Sequence, residues 1–253
     1  MDNESITKPI DMLPIRMWIS ACLIGLSSFM FGYQIVALNS CLVAGDANSV
    51  SACYNGDDDS SPSCPKGTIF DDLNLTDIQI QIATSLVVAG AWVGCFIAAK
   101  PSEKYGRKVT LLMNNLLYIV GSILSASGNF NLLCAGRFIG GLGVGVTSSV
   151  GPVLLSEISH ETTRGKLTTF HPAFITFGIV CASLLAYGFV TYFNHGWQLV
   201  QICGAIPAVI MIIFSPWMTE SPKWLLTRKN DRAGAVLMQL RPTGTDDAVE
   251  AEV

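Results

Sequence analysis

Six stretches of the chain, residues 17–41, 78–99, 109–127, 132–157, 168–193 and 197–218, are predominantly apolar over roughly the length that spans a bilayer. In hydrocarbon every backbone N–H and C=O must be satisfied within the segment or its neighbours, so six such stretches require a bundle of membrane helices. None is pure hydrocarbon. Gly and Ser recur in all of them, with Thr or Asn in most, as expected of helices whose backbones approach one another closely. Charge is scarce to match. Only 13% of the 253 residues are charged, against about a quarter in a soluble domain, and the mean hydropathy is +0.47. A net charge of −4 does not suggest nucleic-acid binding; the partner implied is the lipid bilayer. The opening "MDNESITKPIDM" is polar and acidic, without a basic n-region or small-residue cleavage site, and reads as a tail, not a signal peptide.

The connections orient the bundle. Lys8 and Arg16 precede the first stretch. Lys100, Lys104, Arg107 and Lys108 follow the second, Arg164 and Lys166 the fourth, and Lys223, Arg228, Lys229, Arg232 and Arg241 the sixth. Thirteen of the 15 basic residues thus gather on one side, and the positive-inside rule makes that side, with both termini, cytoplasmic. The expected organisation is a cytoplasmic tail over 1–16, a six-helix bundle over 17–218 with an extracellular loop over 42–77, and the start of a cytoplasmic linker over 219–253. The loop is acidic and holds the glycosylation sequon Asn74-Leu75-Thr76. The competing reading there is that Thr76 and Gln79 form a capping box opening the second helix. Cys53 and Cys64 lie in the same loop and can pair if it is extracellular, whereas Cys22, Cys95, Cys134, Cys181 and Cys203 sit in apolar runs as small core residues. No Cys/His spacing suits a metal, and no cofactor is implied. His160, His171 and His195 are dispersed, with no nucleophile–base constellation, which points away from an enzyme.

Four stretches carry more than apolarity. "FMFGYQIVALN" (29–39) places the amides Gln34 and Asn39 inside the first helix. "EKYGRKVTLL" (103–112) is a tight basic turn around Gly106. "AGRFIGGLGVGVTSSVGPVLLSEISHETTRGKL" (135–167) bares one helix surface with Gly140, Gly141, Gly143 and Gly145. It also buries Arg137 about one and a half turns inside the membrane, where a charge is costly unless it is paired or reaches the interface. "TESPKWLL" (219–226) ends the sixth helix at Ser221-Pro222.

In this order and at these positions, the GR[RK] turn, the GRxxxGxGxG…P…SEI…RG run and the ESP[RK]WLL run strongly resemble the sugar porter family of the major facilitator superfamily, over residues 15–240. Protozoan and animal hexose transporters look closest, and "FITFGI" (174–179) resembles the protozoan ones. The resemblance implies an all-α membrane fold in which this chain supplies the N-terminal bundle of six helices, built as two inverted three-helix repeats, with substrate bound between two bundles. It implies facilitated hexose transport across the plasma membrane, completed by a second six-helix bundle from a longer chain or a second copy. Phe31, Gln34 and Asn39 of the first helix and Ile175, Thr176 and Ile179 of the fifth would then line the sugar path. Arg107, Arg137, Glu157, Arg164 and Glu220 would hold conformations through ion pairs. Proton-coupled members resemble this chain but carry Asp at the position of Gln34; an amide cannot take up and release a proton, which favours uniport. A glutamine that binds sugar in the family is matched here by Pro172, which leaves room for another sugar, a polyol, or a half that binds a partner without transporting.

Overall fold

The computed structural model describes residues 15–43, 69, 73, 75–159 and 163–228. Asn74, Cys53 and Cys64 lie outside them. Five long helices come first: α1 (Ile15–Val43), α2 (Asp77–Tyr105), α3 (Arg107–Ser125), α4 (Phe130–Ile158) and α5 (Arg164–Tyr192). The sixth apolar stretch is two helices, α6 (Gly196–Cys203) and α7 (Ile206–Ile213), and a short α8 (Pro222–Thr227) follows. Among the described residues, six segments are long and apolar enough to cross a membrane, the sixth being α6 and α7 together.

The turns follow from single residues. Gly106 alone joins α2 to α3, at φ +95°, a left-handed conformation that side chains disfavour. Helix α2 therefore runs on through Lys100 and Pro101 to Tyr105, past the loop expected after residue 99. At its start the expected capping box forms, Gln79 Oε1 accepting from the Thr76 N–H at 2.9 Å and the Thr76 side chain accepting from the Gln79 N–H. Ser221 caps α8 by accepting from the Trp224 N–H at 3.2 Å, with Pro222 in the first turn. The sixth span breaks because Pro207 has no N–H to donate back and Gly204 bonds Gln201 O, three residues before it, in place of Val200 O. The carbonyl so released, Val200 O, accepts from the Tyr33 hydroxyl of α1 at 2.6 Å.

Two parallel helix pairs form the frame. In α1–α5 the contacts climb together, from Trp18 with Phe170 to Ser28 with His171 and Ser40 with Ser183. In α2–α4 they climb from Val87 with Gly141 to Ala91 with Gly145 and Cys95 with Ser148. Both pairs are closed by glycine. A Cβ on Gly32 or Gly178 would strike the Ile175 or Phe29 carbonyl across the seam, and one on Gly90, Gly94, Gly141 or Gly145 would strike a carbonyl of the facing helix. Helix α3 runs antiparallel along α4, Gly121 against Gly140 and Tyr118 against Gly143. Exchanging helices 1–3 for 4–6 maps one parallel pair onto the other, the pattern of an inverted repeat.

Apolar side chains close the two ends. Met17, Ile24, Leu111, Leu155, Met211 and Met218 pack near the end that bears the basic turns. Tyr33, Leu38, Leu133, Trp197 and Val200 pack near the other. Ser20 and Thr219 share a hydrogen bond of 2.9 Å, tying the chain after α7 back to the first turns of α1.

Candidate functional site

The polar side chains of this bundle divide into an interior network, an open seam and an ion-paired end. Inside, Gln34 is only 3% exposed. Its Nε2 donates to Ser122 Oγ of α3 at 2.9 Å, while its backbone carbonyl accepts from Arg137 Nη1 of α4 at 2.9 Å. The amide is thus committed to a neighbouring helix and does not open onto the exposed face. Arg137 is 1% exposed and does not reach toward the interface; among the described residues no carboxylate forms an ion pair with it, and its Nε has no partner. One layer deeper, Asn114 Nδ2 donates to Gly143 O at 3.1 Å and Thr147 Oγ1 at 2.9 Å, and Tyr118 and Ser27 also bond Thr147. The network rests on α3 residues the sequence reading passed over. Asn114, Tyr118, Ser122 and Ser125 recur at helical spacing, and that polar stripe was the available signal.

The seam between α1 and α5 carries the other candidates. Phe31 is half-buried and Asn39 exposed on α1; Ile175 and Ile179 are half-buried and Thr176 exposed on α5. Ile175, Thr176 and Ile179 share one stretch of α5, and Phe31 reaches it through His171, the two rings meeting edge-on at 6.3 Å between centroids. Asn39 stands apart, two turns beyond Phe31 and roughly 12 Å along the helix. Thr176 Oγ1 donates into its own helix, to Ala173 O at 2.8 Å. Pro172, exposed beside them, offers neither a side-chain polar atom nor a backbone donor. Aromatic rings flank the seam on both helices: Trp18 against Phe170, Phe170 stacked on Phe174, and Phe29 against Phe177.

At the end bearing the basic turns, Arg107 meets Glu157, with Nη2 donating to Oε1 at 3.2 Å and Nε 3.1 Å from Oε2. Glu220 closes the N-terminus of α3. Its Oε1 accepts from Lys108 N and from Ser221 N, each at 3.0 Å, against the positive end of the helix dipole. Trp224 Nε1 and Arg228 Nη2 donate to Glu103 O at 2.8 and 3.1 Å, so α8 caps the last turn of α2. Arg164 is exposed at the start of α5 and, among the described residues, makes no ion pair with this cluster.

The comparisons agree with this architecture. The family described as "Sugar (and other) transporter" matches residues 20–253. The horse protein named solute carrier family 2, facilitated glucose transporter member 5, is 32% identical over 90% of this chain and 44% of its own length. Probable polyol transporter 6 of Arabidopsis thaliana is 32% identical over 71% of this chain and 37% of its own. The glucose transporter GlcP of Staphylococcus epidermidis is 34% identical over 73% and 41%. Among solved structures, a double-tryptophan variant of XylE superposes with a TM-score of 0.76 at 20% identity, over 94% of this chain and 52% of that one. The partially occluded, inward-open xylose transporter XylE from E. coli gives 0.72 at 21% identity. The chain spans about half the length of the solved transporters and less of the curated relatives it matches. It is an integral membrane protein of the sugar transporter family, one six-helix bundle of a major facilitator fold.

Proposed function

We propose that this bundle is one half of a facilitator that carries a hexose across the plasma membrane by alternating access, without a coupled proton, with both of its termini in the cytoplasm. The observation that carries the uniport reading is the state of Gln34. A neutral amide, locked to Ser122, stands where Arg137 binds the backbone of the same residue. A proton-coupled cycle needs an exchangeable acid near the path, and an amide holds its protons at every physiological pH. The hexose reading draws support from relatives named as glucose transporters, one of them 32% identical over 90% of this chain. It also draws support from the half-open α1–α5 seam, whose aromatic rings offer flat faces to a sugar's C–H groups. Sugar binds more tightly to one of two arrangements of the bundles and so shifts their balance. The second bundle comes from a longer chain or another copy, and the Arg107–Glu157 pair at the cytoplasmic end rearranges as the bundles rock.

A second reading, polyol or proton-coupled sugar transport, is favoured by Pro172, which contributes no hydrogen bond to the seam, and by the relatives named as polyol transporters. Both readings are tested by reconstituting the full transporter in liposomes and following labelled glucose together with an internal pH dye. Net glucose entry into sugar-free liposomes without acidification supports uniport. Sugar-driven proton entry overturns it, and counterflow of a polyol in place of glucose favours the second reading.

A further inference from the structure

His171 lies where α1, α4 and α5 meet. Its Nδ1 is 2.7 Å from Ser28 Oγ of α1, its ring edge faces Phe31, and a Cβ on Gly151 of α4 would stand 3.5 Å from the same nitrogen. The Ser28 hydroxyl has one proton, and it donates that proton to Ile24 O at 3.2 Å. The same oxygen is then placed to accept from His171 Nδ1–H, the tautomer that leaves the neutral imidazole's lone pair on Nε2. That nitrogen is neither enclosed nor bonded to any described residue. The other candidates of the seam leave the polar work to it. Phe31, Ile175 and Ile179 are apolar, Pro172 has no donor, and the Thr176 hydroxyl is turned onto its own helix.

From this relay we propose that His171 is a specificity-determining residue of the sugar site, its Nε2 accepting a hydrogen bond from one substrate hydroxyl. The assignment rests on the sugar-transport reading above. Ser28 and Ile24 fix the tautomer and the ring plane, so the acceptor is already aimed before substrate arrives, which lowers the ordering cost of binding. A site built around a hydroxyl acceptor discriminates against sugars lacking that hydroxyl far better than an apolar wall does, because the imidazole would be left unpaired on closure.

Two conservative variants separate this role from a structural one. Gln at 171 keeps a polar group at the reach of Nε2, and Asn keeps one at the reach of Nδ1. In the full transporter, once hexose counterflow by the wild type is established, H171N is expected to raise KM about tenfold with little change in maximal rate, while H171Q stays within about threefold. The H171N defect should vanish for the one deoxy-hexose that lacks the contacted hydroxyl. The reverse order, equal defects in both variants, or unchanged KM in both would overturn the proposal. Should neither variant fold, the wild type still tests it. Saturating hexose should protect His171 from diethyl pyrocarbonate, read by peptide mass spectrometry, and unprotected labelling would overturn the assignment. Absence of hexose counterflow by the wild type would instead remove the hexose reading itself.

Discussion

Gln34 shows most clearly what one residue says in sequence and what it says in a fold. The sequence places an amide in an apolar helix and cannot say which way it points, because α1 is packed on several sides. The structure spends it on Ser122 and hands its carbonyl to Arg137. An interhelical hydrogen bond in a membrane contributes about 0.6 kcal/mol on average, so Ser122→Ala should lower the melting temperature in detergent by only a degree or two. A drop beyond about 5 °C would mean the bond carries far more than such pairs usually do. Gln34→Asp is a different change. Its side chain is one methylene shorter, loses Ser122, and sets a carboxylate beside a buried guanidinium. Transport should fall several-fold and acquire a pH dependence, against the flat profile the uniport proposal expects of the wild type; a variant with wild-type rate and a flat pH profile would disconnect this position from the cycle. Arg137 and Gln34 were both legible as unusual from composition alone. Their meeting was not, because residues 103 apart in sequence are joined only by the fold.

At the scale of the helix, hydrophobic runs located every span but misjudged where several stop. Helix α2 continues through Pro101 because that ring denies only one N–H, and the chain does not turn until Gly106 permits a left-handed φ. The sixth span splits because Gly204 and Pro207 fall close together in an otherwise uniform apolar run, where hydropathy alone gives no signal. The glycines of α4 were readable as a bare surface, but not which helix would lie on it. Gly145→Leu should wedge α2 from α4, since even a Cβ there meets the Ala91 carbonyl, and should abolish a monodisperse peak by fluorescence-detected size exclusion. Gly188→Ala, which meets nothing within 4 Å, should leave the peak intact and stabilise by up to about 1 kcal/mol through helix propensity. Equal behaviour of the two would contradict the packing described for α2 and α4.

At the scale of the molecule, the motifs that carried the family resemblance are concentrated at one end and in one seam. The ESPKWLL segment caps α2 and α3 at once, through Trp224 and Arg228 on Glu103 O and through Glu220 on Lys108 N, so the chain after the sixth span is fastened to the bundle. Arg107 and Glu157 join α3 to α4 at the same end. Breaking this partly buried pair should cost on the order of 1 kcal/mol, a several-fold shift between two conformations that differ in whether it forms. Arg107→Ala should therefore change the balance of inward- and outward-facing states several-fold, measured by thiol labelling of single cysteines placed in the path, and the charge swap R107E/E157R should restore it. The central claim is that this bundle belongs to a hexose facilitator without proton coupling. Its most direct test is net entry of labelled glucose, down its gradient, into sugar-free proteoliposomes containing the full transporter, with internal pH followed simultaneously. The account predicts glucose entry down its gradient with no change in internal pH; acidification in step with glucose entry, or no glucose entry at all, would contradict it.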